Sequence, residues 1–347
     1  MLKKIFIGFL VMAMFAALIL SACTPESALP EEEAPSAEAI ELNFASFDPG
    51  VHWKTGLMEW FAEELENRTD GMVKTTIYTD GALGGPMEIA DNIISGVADM
   101  GFVLPSFIPG HVPAAGVMDI PLLMPSIAAV EYVGWDLYYS GYLNVEGAKL
   151  IAVTGSEGGT LMLGEKKVTT VEDFKGLNLF NPGDWAAASQ KLEFNVVPLP
   201  PPEIYSAFER GLVDGGMAGI ALPLSLNMEG MLKYVVRGKW GNTSTLILMN
   251  IDKWNSLPSD VQVVVAELGR EMNCRWTDLT FEAETSGFQA FEDAGAEVYS
   301  LSPEEWSRLE AILAPLPDEW ASEMDAQGLP GTEVKDIVLR SLQKMGY

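Results

Sequence analysis

Between residues 41 and 104 the hydrophobic period switches repeatedly between about 2 and about 3.6 residues, which leaves few folds open. Residues 41–47 alternate Leu42, Phe44 and Ser46 against Glu41, Asn43 and Ala45, predicting a strand that Asp48-Pro49-Gly50 turns. A helix is expected over 52–67, with Trp53, Leu57, Trp60, Phe61 and Leu65 as its buried stripe and Asp70-Gly71 as its stop. Residues 72–78 read as a second strand and 87–95 as a short helix closed by Gly96. Residues 99–104 are apolar on both faces, as a central parallel strand should be. Parallel neighbours need a crossover between them, so this order points to a parallel α/β domain.

The pattern resumes further on. Residues 148–153 predict a strand, 155–159 a Gly-rich loop and 161–163 a short apolar segment. Residues 177–180 form a strand that runs into Asn181-Pro182-Gly183, and 203–214 carry Ile204, Phe208 and Leu212 at helical spacing before Gly215-Gly216. A strand over 246–250 leads through Trp254 and Leu257-Pro258 into a long helix from Ser259. That helix bears Val261, Val264, Val265, Leu268, Met272, Trp276 and Leu279, with no strong breaker before Gly287. A late strand at 297–301 and helices at 303–313 and 334–345 close the chain, and no solenoid-length repeat is visible.

The amino terminus sets the address. Lys3-Lys4 precede an apolar run of 16 residues, Ile5 to Leu20, shorter than the roughly 20 that span a bilayer. It ends in Leu20-Ser21-Ala22-Cys23, which resembles a bacterial lipobox, so residues 1–22 read as a lipoprotein signal peptide and Cys23 as the acylated residue. Residues 23–39 are Pro, Glu, Ser and Ala with almost no large apolar side chain, a flexible tether. Loss of Lys3 and Lys4 takes the formal charge from −28 to −30. Such a balance argues against nucleic acid and anionic lipid, which need clustered cations. Cys274 is the only thiol left besides Cys23, and His52 and His111 are the only histidines, so neither a disulfide framework nor a metal site is expected.

Several landmarks then occur in a familiar order: Gly71, Tyr78, Leu83-Gly84, Gly96, Asp99-Met100, Ile120-Pro121, and Glu172-Asp173-Phe174-Lys175-Gly176-Leu177. Pro182-Gly183, Glu203-Ile204-Tyr205, Gly211, Val213-Asp214-Gly215, Lys233-Tyr234 and Trp254 through Leu257-Pro258 continue it. In that order over the chain from Ile40, the sequence resembles the solute-binding protein of a TRAP (tripartite ATP-independent periplasmic) transporter. The resemblance implies an α/β, two-lobed periplasmic-binding-protein fold with central mixed sheets and a long helix spanning both lobes. Lobe I would be 40–158 plus 245–283, and lobe II 159–244 plus 284–347. It further implies a cleft that closes on a small-molecule ligand, delivery to a small and a large membrane subunit, no cofactor and no enzymatic step. The protein would be periplasmic, lipid-anchored at Cys23 and monomeric, with a dimer as the alternative.

Members of that family that bind organic acids place an arginine just after the Lys-Gly-Leu strand, a second after the Gly-rich loop, and an asparagine four positions after the Asp of Asp-Gly. Here those positions hold Phe180, Leu161 and Ala218. All three departures run from polar to apolar, and together they predict a cleft without a carboxylate clamp. Phe47 stands where the family often has a polar contact. Trp185 follows Pro182-Gly183, and Trp240 lies between Gly238 and Gly241 in a polar stretch that suits a ligand platform. Asn181, Asn242, Thr160, Glu157, Glu88 and His52 are the polar candidates to orient a ligand. Two ligand classes fit: a neutral, aromatic or alicyclic molecule, which the pattern favours, or a cation or zwitterion held by cation–π contact. An organic-acid binder using other polar residues, or a solute sensor coupled to a membrane kinase, is the alternative. Catalytic machinery is not evident: Thr154-Gly155-Ser156-Glu157-Gly158 lacks the first glycine of a nucleophile elbow, and no Walker or dinucleotide fingerprint occurs.

Overall fold

The computed structural model describes residues 39–155, 159–180, 185–238 and 240–347. Its first sheet is built by β1 (Ile40–Ala45), β2 (Val73–Tyr78), β3 (Met100–Val103), β4 (Ala148–Gly155) and, much later in the chain, a returning strand at Ser244–Asn250. Helix α1 (Trp53–Arg68) joins β1 to β2 and α2 (Ile89–Ile94) joins β2 to β3, so β1 pairs in parallel with both. Helix α3 (Ile127–Tyr139) precedes β4; the sequence reading assigns no element there.

The second sheet takes β5 (Thr160–Leu163), β6 (Asn178–Phe180), β7 (Asn195–Val197), β8 (Gly215–Ala218) and β9 (Tyr234–Arg237), with α4 (Ala186–Leu192), α5 (Pro201–Glu209) and α6 (Ala221–Ser225) between them. The returning strand is therefore β10, followed by α7 (Ile251–Ser256), the 35-residue α8 (Ser259–Asp293), β11 (Glu297–Ser300), α9 (Pro303–Leu313), α10 (Leu316–Ala326) and α11 (Gly331–Lys344). Strand orders are β2-β1-β3-β10-β4 and β11-β9-β5-β8-β6-β7. Both sheets are mixed: β10 runs antiparallel to β3 and β4, and β5 antiparallel to β8 and β9.

Burial follows the pleat. On β1, Leu42 and Phe44 face a core shared with Leu57 and Phe61 of α1 and with Leu268, Met272 and Trp276 of α8, while Ala45 faces the opposite core. Helix α8 runs through its Gly287 without a break and carries buried residues for both lobes, Met272 and Trp276 for the first and Phe288 and Phe291 for the second. It presses on β4 at Gly269, where a Cβ would lie 2.5 Å from the Ile151 carbonyl oxygen. Trp276 Nε1 donates to the Gly155 carbonyl at 2.6 Å and Asn273 Nδ2 to that of Val153 at 3.1 Å, fixing the helix to the end of β4. Among the described residues no helix is long and apolar enough to cross a membrane.

Candidate functional site

A cavity of about 620 Å³ opens between the sheets. Its walls come from segments that follow β1, β2 and β3 on one side and from β7, β8 and the segments beyond β6 and β9 on the other. Ligands in open α/β sheets collect at such carboxyl ends, because the chain turns there and exposes loops rather than paired edges.

The turn after β1 supplies the polar floor. Strand β1 ends at Ala45, so Phe47, Asp48 and His52 fall in the turn and reach the cavity. The Ser46 hydroxyl donates to Asp48 Oδ2 at 3.1 Å and accepts from the Asp48 amide at 3.1 Å. Lys54 Nζ donates to the same Oδ2 at 3.0 Å, an ion pair in which both side chains are about nine-tenths buried. Burial pushes the Asp48 carboxyl up, but Lys54, His52 and the hydrogen bonds outweigh it and hold the group below the usual carboxylate range. His52 caps α1, its Nδ1 accepting from the Lys54 amide at 3.3 Å. Burial first, then the Lys54 charge, pushes its pKa down to about 4, so the ring is neutral at physiological pH.

Asp119, at the end of a 3-10 segment (Pro113–Asp119), lines the cavity beside Ile120 and Pro121. Its Oδ1 accepts from the Ser244 amide at 2.7 Å and the Ser244 hydroxyl at 2.8 Å, while its buried Oδ2 has no partner among the described residues. Burial raises its pKa to about 6, and the Ser244 bonds offset only part of that rise.

The remaining walls are apolar and aromatic. Trp240 is buried, donates from Nε1 to the Val236 carbonyl at 2.8 Å, and meets Trp185 and Trp306 edge-on at 5.4 and 4.9 Å between ring centroids. Trp53 meets Trp276 edge-on at 4.9 Å, and Phe107, Leu199, Met217 and Leu222 complete the surface. Among the described lining residues Lys54 is the one lysine or arginine, and Asp48 already holds it.

Of the residues singled out in the sequence, Phe47, His52, Glu88, Trp185, Ala218, Trp240 and Asn242 line this cavity. Glu88 sits at its rim, accepting from the Gly85 amide at 3.3 Å, and Asn242 is tied to the Met124 carbonyl by its amide and its Nδ2. Thr160, Leu161 and Phe180 are not on the wall. Thr160 and Leu161 are buried in β5, paired with β8. Phe180 is fully buried with Met162, Ile204 and Ala207, its ring so close over Gly216 that a Cβ there would lie 2.5 Å from it. In this conformation it packs in the core and not on the cavity wall, where the sequence expects it. Glu157, Asn181 and Cys23 lie outside the described residues. The sequence reading missed Asp48, Lys54 and Asp119. Their signals were slight: a turn before a helix cap, and an acid preceding the Ile120-Pro121 landmark.

Among the described residues no group of three or more His, Cys, Asp or Glu is placed to hold a metal ion. The chain resembles a marine metagenome TRAP solute-binding protein specific for aromatic acid ligands, crystallised with 3-hydroxybenzoate. The two share 21% identity with a TM-score of 0.82 over 90% of this chain and 100% of that one. A TRAP solute-binding protein from Rhodoferax ferrireducens, in complex with copurified benzoate, matches with 19% identity and a TM-score of 0.81 over 88% and 98%. The C4-dicarboxylate-binding periplasmic protein DctP of Rhodobacter capsulatus is 24% identical over 277 residues, 77% of this chain and 82% of that protein. The family model of bacterial extracellular solute-binding protein family 7 matches residues 44–323. The chain thus belongs to the family of TRAP transporter solute-binding proteins, two-lobed α/β receptors of the periplasm.

Proposed function

We propose that this protein captures a small, ring-bearing solute without a free carboxylate and delivers it to the small and large membrane subunits of a TRAP transporter. The lobes, 40–158 with 245–283 and 159–244 with 284–347, would close over the solute while acylation at Cys23 keeps the receptor at the membrane. One observation carries the ligand reading: the cavity is walled by Phe47, Trp53, Trp185 and Trp240, and its lysine is already neutralised by Asp48. A carboxylate entering such a cleft loses its hydration without gaining a free cation from the described lining residues, which costs several kcal/mol. The side chain at position 180, where acid-binding relatives carry arginine, is a phenyl ring packed in the core. The aromatic acids bound by the marine metagenome and Rhodoferax proteins support a ring-sized pocket, and the departures at Leu161, Phe180 and Ala218 support a different polar group on that ring.

Intrinsic tryptophan fluorescence tests this, since three tryptophans line the cleft. Titration with benzamide should shift the emission at lower concentration than titration with benzoate. A tighter response to benzoate would overturn the reading.

A further inference from the structure

The cavity wall includes a carboxylate, Asp119, with a buried oxygen that neither the fold nor the proposed capture of a neutral ring accounts for. Asp119 forms part of the cavity wall, and its two oxygens are in opposite situations. Oδ1 is saturated by the amide and hydroxyl of Ser244, the first residue of β10, so the carboxylate plane is fixed against the strand that returns to the first sheet. Oδ2 is buried and bound to nothing among the described residues. A brace between loop and strand needs only Oδ1, and an asparagine would serve as well without the cost of a buried charge. The other acids of the cavity differ: Asp48 is spent on Lys54 and Ser46, and Glu88 is exposed to solvent.

We propose that Asp119 is the specificity-determining acceptor of this cleft, and that the solute carries an O–H or N–H donor that reaches Oδ2 when the lobes close. This rests on the proposed capture of a ring-bearing solute and deepens it by naming the group the ring must carry. An alcohol, phenol, amide or amine on the ring meets the requirement. An ether or a hydrocarbon does not, and a carboxylate sets like charge against like. With its pKa near 6, Asp119 is mostly ionised at pH 7.5 and can only accept.

Asp119→Asn separates this role from bracing. The variant keeps an Oδ1 to accept from Ser244 but replaces the open acceptor with an amide donor. Ligand-observed NMR on purified wild type and D119N, with benzyl alcohol, benzamide, anisole and benzoate as probes at pH 7.5, reads the difference. Wild type should prefer benzyl alcohol and benzamide to anisole by about tenfold, the scale of an unmet buried hydrogen bond. D119N should lose most of that preference and bind benzoate better than wild type does. Equal binding of anisole and benzyl alcohol to wild type overturns the proposal, as does an unchanged preference in D119N. Failure of every probe to bind wild type overturns the ring-solute reading itself, and this inference with it. A thermal melt of D119N matching wild type or higher shows that the brace to Ser244 survives.

Discussion

The floor of the cleft is an electrostatic arrangement of three neighbouring side chains, Asp48, His52 and Lys54. The lysine and aspartate balance one another out of water, and His52 stays neutral between them. Unfolded, the imidazole takes a proton near its ordinary value of 6.5; folded, it resists until about pH 4. Between those values the unfolded chain binds more protons, so this group withdraws stability as pH falls from 6.5 to 4. Asp119 works in the opposite sense nearby: its raised carboxyl takes a proton first in the folded state, which adds stability as pH falls through 6. His52→Asn keeps a capping acceptor and removes the titration. In urea denaturation, H52N should lose less stability than wild type between pH 7 and pH 4, by on the order of 3 kcal/mol. Parallel acid limbs in the two proteins would show that the imidazole is solvated and does not have the depressed pKa.

Individual side chains were the least legible part of the sequence. Landmarks at 172–177, 203–205 and 213–215 name the family because they build turns and helix starts, which are local. Whether a side chain then faces ligand or core depends on which face of a strand it occupies, and Phe180, one position along β6, faces α5 and the core. Asp119 gave only the slight signal of an acid before Ile120-Pro121, because its partner Ser244 lies 125 residues away.

At the scale of elements, period was a good guide where strand and helix alternate in short succession, and β1 to β3 fall within two residues of the expected ranges. It fails at α3, whose sequence IAAVEYVGWDLYY is apolar and aromatic on most sides and shows no clean stripe. Strand direction was also out of reach: β10 pairs antiparallel with β3 and β4, from which β5 to β9 separate it along the chain. The long helix is the element on which both lobes depend, and its fit to β4 leaves no room at residue 269. Gly269→Ala should therefore destabilise the protein by about 1–3 kcal/mol, because the obstructing atom is a backbone oxygen that cannot step aside. Gly56→Ala, in α1 with nothing within 4 Å of the added methyl, should instead stabilise by about 0.5–1 kcal/mol. Denaturant midpoints of the two variants on the same side of wild type would contradict this account of the packing.

At the scale of the molecule, the chain passes from the first sheet to the second after β4, returns before β10, and crosses again along α8. The cavity is made by residues from both sides of those crossings, so under the proposed capture a solute touching both sheets would favour their approach through its differential binding alone. What the cleft selects is the central claim, and the most direct check is mass spectrometry of the small molecule released from protein purified under native conditions. The released molecule should carry a ring and an O–H or N–H group, and no carboxylate. Release of a simple carboxylic acid in stoichiometric amount would contradict it.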